Sequence, residues 1–269
     1  MPATEDTMTL HHVEIGDGTP VLLLHGYTID HRLMLPLESA FAARPGWRRL
    51  YVDLPGSGQS PRLSGPVTAD AMGEAVLGFI DTAIGDEPFA VVGISYGGQL
   101  ARHVVAERGA QVLGTALIAP LVKPSGARDL PERQVLTRDE ALLASLDPAD
   151  RDIFTAIAVH QDEAGWEPFR DHVLPGIRAH HRSDAAALLK AYMLSKTPED
   201  VFGTHHGRHL LVTGRQDHMV GWRDQLELLE HYPRMTYATV DGAGHNVHLD
   251  QPALVDGLLG GWLDAITRD

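Results

Sequence analysis

The stretch from Val91 to Glu107, "VVGISYGGQLARHVVAE", decides the fold. An apolar run leads into a serine set between glycines, and a helix-like pattern begins at the next residue. Gly93 and Gly97 flank Ser95 at two residues' distance, which lets a strand and a helix approach without side-chain clashes. A sharp turn there would hold Ser95 in a strained backbone geometry, with the helix N-terminus favouring negative charge that develops beside it. A bare G-x-S-x-G pentapeptide is common and can be a plain glycine turn. The strand before it and the helix after it make this one read as a nucleophile elbow.

The same rhythm extends outward. "PVLLLH" (Pro20 to His25), "RRLYVD" (Arg48 to Asp53), "VLGTALIA" (Val112 to Ala119), "RHLLVTG" (Arg208 to Gly214) and "MTYATV" (Met235 to Val240) join "FAVVGI" (Phe89 to Ile94) as buried strands. Helical patterns run from about Arg32 to Ala43, Thr68 to Ile84 and Tyr96 to Arg108. Apolar strands alternating with helices specify an α/β chain with a doubly wound, mostly parallel sheet. "MTLHHVEIG" is expected to add one or two antiparallel edge strands.

From about Val122 to His206 no convincing strand is found and helical signals dominate. Thr137 and Glu140 stand at capping-box spacing, Asp147 and Pro148 read as N-cap and first helical position, and Pro175 interrupts a further helix. The expected organisation is therefore a core of residues 1–121 and 206–269 with an inserted all-helical block at 122–205.

Composition narrows the function classes. The chain has 269 residues and a net charge of −14, from 36 acidic and 22 basic side chains. That balance argues against nucleic acid or an anionic membrane surface as partner. With no cysteine there is no disulfide, thiolate zinc site or cysteine nucleophile. The acidic start "MPATEDTMTL" is unlike a signal peptide, and no run approaches a membrane span. A soluble cytoplasmic protein acting on a small molecule, without cofactor or metal, is expected; a homodimer is left open.

A serine nucleophile needs a base, and the base needs an orienting carboxylate. Both are expected after strands, at the sheet edge where such folds build sites. Asp217 follows the "LLVTG" strand; Asp224 and Asp241 lie nearby, but Asp217 comes at once after the turn. His245 follows the last strand in a Gly-flanked loop and is the expected base. The order Ser95, Asp217, His245 is the order of an elbow-type triad. Backbone N–H groups of Tyr96 and of Tyr27 in "HGYT" are the expected oxyanion hole. His25 is a rival base, but with that role filled by His245 it reads as structural.

These residues resemble the α/β-hydrolase family: "HGYT", "DLPGSGQS", "GISYGG", "GRQD" and "GAGHNVHLDQP" match its landmarks in order, over nearly the whole chain. The resemblance implies that the inserted block is a helical cap over the site and that "DLPGSGQS" is a structural turn near the pocket. A serine in place of aspartate at the elbow speaks against dehalogenase and epoxide-hydrolase chemistry. His25, Phe154, Trp166, Phe169, Tyr192, Met193 and Trp222 are candidate pocket residues, although the aromatic ones equally suit simple helix packing. His248 is expected to border the pocket or the next helix. His205, His206 and His209 in "HHGRH" read as a solvated turn rather than a metal site.

The expected activity is hydrolysis of a small carboxylic ester or lactone through an acyl-enzyme. Hydrolysis of a C–C bond in a diketone-like compound is an alternative, disfavoured by the absence of a glycine-rich loop in "HGYTID". Haloperoxidase-like activity and a ligand receptor with little turnover are further alternatives.

Overall fold

The computed structural model describes residues 8–267; most of the acidic start lies outside them. The apolar runs form strands β1 (His12–Ile15), β2 (Thr19–Leu24), β3 (Trp47–Val52), β4 (Phe89–Ile94) and β5 (Val112–Ile118). Two-residue strands β6 (Thr137–Arg138) and β7 (His160–Gln161) follow, then β8 (His209–Gly214) and β9 (Met235–Val240). Seven of them make one sheet in the order β1-β3-β2-β4-β5-β8-β9. Every neighbouring pair is parallel except β1 on β3, which is antiparallel with His12 opposite Val52. "MTLHHVEIG" thus yields one edge strand. Along β2, Val21 and Leu23 enter the core on one face while Leu22 and Leu24 enter it on the other. Burial of both faces is why β2 and β4 run apolar along their length instead of alternating, whereas the edge strands β1 and β9 are only partly buried.

Helices α1 (Glu38–Phe41), α2 (Ala69–Ala83) and α3 (Tyr96–Arg108) flank the strands. Thr68 caps α2, its hydroxyl oxygen accepting the Ala71 N–H at 3.1 Å. The helix expected from Arg32 to Ala43 is instead a 3-10 segment, His31–Leu37, leading into the short α1. Pro36 lies inside it and has no N–H to give an α-helical ladder.

The insertion between β5 and β8 carries α4 (Glu140–Ser145), α5 (Pro148–Ile157), α6 (Glu163–His172), α7 (Leu174–Ala179), α8 (Arg182–Lys190) and α9 (Pro198–Phe202). Two expectations are corrected. The block is not wholly helical, because β6 and β7 pair in parallel within it. Thr137 sits in β6 and caps nothing; Asp139 caps α4, accepting from the N–H groups of Ala141 and Leu142. Asp147 and Pro148 start α5 as expected, and Pro175 stands in the first turn of α7, where its missing N–H costs no bond. After β9 come α10 (Val247–Asp250) and α11 (Pro252–Ile266). No helix among the described residues is long and apolar enough to cross a membrane.

Among the contacts that hold the insertion to the core, two are deeply buried. Gly176 in α7 lies against the backbone of Ile29 and Asp30, where an added Cβ would come within 2.7 Å of the Asp30 nitrogen. Arg102 on α3 and Glu199 on α9 form a buried bidentate ion pair, with Nε 2.6 Å from Oε1. The Arg102 guanidinium also reaches the Leu121 carbonyl at 3.0 Å, and the Tyr232 hydroxyl donates to Glu199 at 3.2 Å. Each nitrogen of that buried guanidinium thereby donates to an acceptor, the condition under which a buried charge is tolerated.

Candidate active site

Ser95 occupies the turn between β4 and α3 with φ 55° and ψ −115°, in the region that L side chains avoid. Such a conformation costs about 1–3 kcal/mol and persists only where the surroundings over-determine it. Here they do. The Ser95 N–H donates to the Ile118 carbonyl at 3.0 Å, and the Ser95 carbonyl accepts from Gly98 and Leu121. The flanking glycines are needed for space: a Cβ on Gly93 would meet Gly97 O at 2.4 Å, and one on Gly97 would meet Leu24 O at 2.1 Å.

Asp217 lies in the turn after β8 and is fully buried. One of its oxygens accepts the N–H groups of Met219 (2.8 Å) and Val220 (3.0 Å), which fixes the carboxylate plane. The other faces His245 Nδ1 at 2.9 Å. With Nδ1 donating to Asp217, the lone pair of His245 is left on Nε2. Asp241 is turned elsewhere, receiving the Gln216 amide at 2.8 Å, and Asp224 accepts the Asp129 N–H at 2.8 Å. The loop bearing His245 is itself held by Asp250, which accepts the Gly244 N–H at 2.8 Å. Burial raises the Asp250 carboxyl to about 6, although the Gly244 N–H and the nearby His160 favour its ionised form.

Ser95 and His245 line one cavity of about 130 Å³. Its floor is Gly26, Tyr27 and Ile94 of the core; its walls include Ile157, Val173 and Ile177 of the insertion and Val220 beyond β8. The amides of Tyr27 and Tyr96 donate to no acceptor among the described residues. They stand at the loop after β2 and at the first turn of α3.

Of the expected pocket residues, Tyr192 lines the cavity. The others do not. Phe154, Trp166 and Phe169 bury their rings against one another, with centroids 5.1 to 6.2 Å apart, in the core cluster on the α11 side of the sheet. Large apolar surfaces bury most completely against each other, and such pairs are worth about 0.5–1.5 kcal/mol beyond their area. Met193 packs on the opposite core cluster. Trp222 is held between the guanidinium groups of Arg215 and Arg223, each 4.5 Å from its ring, outside the cavity. His25 is fully buried behind the wall, its Nδ1 donating to Gly26 O at 2.7 Å and its Nε2 accepting the Leu54 N–H at 2.9 Å. Burial lowers its pKa, so it is a neutral structural imidazole.

The "HHGRH" reading also needs correction. His209 begins β8, is buried, and is hydrogen-bonded through Nε2 to His205 Nδ1 at 2.9 Å and through Nδ1 to Thr115. Burial lowers its pKa to about 3. The Tyr232 ring covers it at 4.6 Å. His248 is buried under the 3-10 segment, donating to Leu33 O at 3.0 Å. Asp53, in the "DLPGSGQS" turn, is a hub that sequence reasoning did not detail. Its two oxygens accept four N–H donors, from His11, His31 (backbone and ring) and Gln59. Burial opposes its ionisation, but these bonds prevail and hold the carboxyl well below the usual range.

Sheet order, elbow and the Asp217–His245 pair define a hydrolase of the α/β class. A model of the alpha/beta hydrolase family matches residues 21–257, and the chain belongs to that family. It is 39% identical over 150 residues to lipase LipV of Mycobacterium tuberculosis, a match covering 52% of each chain. It is 27% identical to the pimeloyl-[acyl-carrier protein] methyl ester esterase of Xanthomonas campestris pv. campestris, over 91% of this chain and 96% of that one. Among solved structures, an alpha/beta superfamily hydrolase from Oenococcus oeni PSU-1 superposes with a TM-score of 0.88 at 24% identity, covering 96% of this chain and 97% of that one.

Proposed function

We propose that the chain is a cofactor-independent serine esterase for a small carboxylic ester or lactone. One observation carries the reading. A serine in a strained elbow and a histidine oriented by a buried carboxylate open onto the same apolar cavity. In this reading His245 Nε2 takes the Ser95 proton as Oγ attacks the ester carbonyl. The tetrahedral oxyanion is received by the Tyr27 and Tyr96 amides, which have no other acceptor among the described residues. His245 then protonates the leaving alkoxide, and a water activated by the same imidazole releases the acid from the acyl-enzyme. Asp217 keeps the ring in the tautomer that leaves Nε2 free.

Residues 122–205 serve as a cap in this reading. Ile157, Val173, Ile177 and Tyr192 lie on that segment and line the cavity, so the cap excludes water and shapes the space beside the serine. The esterase and lipase names among the relatives support ester chemistry for this chain.

The test is Ser95→Ala together with a fluorophosphonate label. Wild type should hydrolyse short p-nitrophenyl esters with a burst of nitrophenol, and the label should sit on Ser95 by mass spectrometry. The variant should lose about a millionfold in turnover while keeping its melting temperature. Labelling at another residue, or turnover that survives the substitution, would sink the assignment.

A further inference from the structure

The cavity that holds Ser95 and His245 is lined by one guanidinium, Arg128, and by no carboxylate among the described residues. This is unexpected in a chain whose acidic side chains outnumber its basic ones by 36 to 22. Arg128 follows the short 3-10 turn Ser125–Ala127. Its half-buried side chain is aimed by two backbone carbonyls: Nε donates to Lys123 O at 2.9 Å and Nη1 to Met219 O at 2.8 Å. Its remaining terminal nitrogen, Nη2, has no acceptor in a hydrogen bond or ion pair among the described residues. Most other arginines of the fold are committed to carboxylates, as Arg49 is to Glu38, Arg62 to Asp184 and Arg102 to Glu199. Around Arg128 the lining is apolar or neutral: Ile157, Val173, Ile177, Met219 and Tyr192. Burial raises the Tyr192 phenol, and the charge of Arg128 works against that rise, so the guanidinium's field is felt at the cavity wall.

We propose that Arg128 reads a carboxylate on the substrate, so that the preferred substrates are esters tethered by a short apolar chain to a free carboxylate. This inference rests on the esterase reading above. The apolar walls take the tether, Ser95 takes the ester carbonyl, and the Nη2 hydrogens of Arg128, with the second hydrogen of Nη1, meet the anion. A charge-assisted bond of this kind in a site poor in water is roughly twice as strong as a neutral one. It also rejects a substrate that leaves the arginine unmatched.

The test compares matched ester pairs. On the acyl side, p-nitrophenyl half-esters of butanedioic to hexanedioic acid are set against the same esters with the distal carboxylate replaced by carboxamide. On the alcohol side, acetyl esters of short hydroxy acids are set against those of the hydroxy amides. Wild type should favour the carboxylate member of at least one pair by roughly 10- to 100-fold in kcat/KM. Arg128→Gln should collapse that ratio towards one, and Arg128→Lys, which keeps the charge without the fork, should retain part of it. The side on which the preference appears tells which half of the ester bears the anion. Equal rates for both members of every pair in wild type, or a preference that survives in Arg128→Gln, overturns the proposal. Calorimetric titration with hexanedioate covers the remaining case. If no ester is hydrolysed and Ser95 is not labelled, the esterase reading fails. Hexanedioate binding that Arg128→Gln abolishes still supports the arginine's role, and no binding, or binding that the variant keeps, overturns it.

Discussion

The ring of Tyr192 stacks on the ring of Tyr96, with centroids 5.0 Å apart and planes 21° from parallel. Tyr192 also receives Tyr27 edge-on at 5.2 Å, and the Tyr27 hydroxyl donates to the Ala185 carbonyl of α8 at 2.7 Å. The backbone of Tyr192 is pinned in turn by Gln99 of α3, whose amide donates to its carbonyl at 3.0 Å. One residue of the insertion thus braces the side chains of both residues whose amides would form the oxyanion hole. Displacing a catalytic group by about 1 Å can cost on the order of a hundredfold in rate. Tyr192→Ala is therefore expected to lower kcat by about that factor and to raise KM less. Tyr192→Phe, which keeps the ring, should recover most of the loss. Steady-state kinetics with thermal melts decide it; a kcat unchanged in Tyr192→Ala leaves the ring as simple filling.

Asp217 is expected to be the orienting carboxylate and not one of its neighbours. Asp217→Asn keeps the acceptor for Met219 and Val220 but can present its amide to His245 Nδ1, driving the imidazole to the wrong tautomer. Turnover should fall by roughly ten-thousandfold with the fold intact. Asp241→Asn, whose side chain accepts from Gln216 and the Gly242 N–H and not from His245, should change turnover by less than about threefold, within what a surface substitution does. Reversal of these two results would move the acid to Asp241.

What the sequence reveals and what it hides follow from how local each signal is. Ser95, Asp217 and His245 each stand within a few residues of a strand end, so the order of strands and turns alone places them on one edge of the sheet. The cavity wall has no such grammar. Arg128, Ile157 and the α7 pair Val173 and Ile177 come from three separate segments, and each faces the serine only because of how the insertion packs. The aromatic trio Phe154, Trp166 and Phe169 offers the strongest apolar signal in that region, and for that reason it is drawn into the core and away from the cavity. Strands β6 and β7 have two residues each, too few to show a period. Helix α9 is five residues long, and its Glu199 looks like any surface acid until Arg102 is brought beside it from far away in sequence.

That pair carries a stability prediction. Arg102 and Glu199 are each about 3% exposed. Removing one partner leaves the other charge buried and uncompensated, which typically costs 3–5 kcal/mol, whereas replacing both by well-packed apolar residues is often close to neutral. Glu199→Ala should therefore lower stability in urea by about 3–5 kcal/mol. An Arg102→Met, Glu199→Leu double variant should lie well above the single one. If the two variants are equally unstable, the loss comes from the Tyr232 and Leu121 contacts and not from the stranded charge.

Asp250 carries the pH dependence. Its carboxyl is raised to about 6 in the fold, first by burial, from an ordinary value of 3.8. A raised carboxyl pKa means that the folded state binds the proton more tightly than the unfolded chain. Its favourable contribution is thus complete below about pH 4 and is lost as pH rises through 6. Above that, the fold carries an ionised carboxylate within the field of Asp217, at a cost of about 3 kcal/mol. Asp250→Asn keeps an oxygen to accept the Gly244 N–H that holds the His245 loop, and it removes the charge. The variant should be more stable than wild type by about 3 kcal/mol at pH 8, and the two curves should converge as pH falls from 6 to 4. Denaturant titrations at closely spaced pH values measure this directly. A difference that stays flat across the range would mean that Asp250 does not titrate there, and that its bond to Gly244, not its charge, is what the fold depends on.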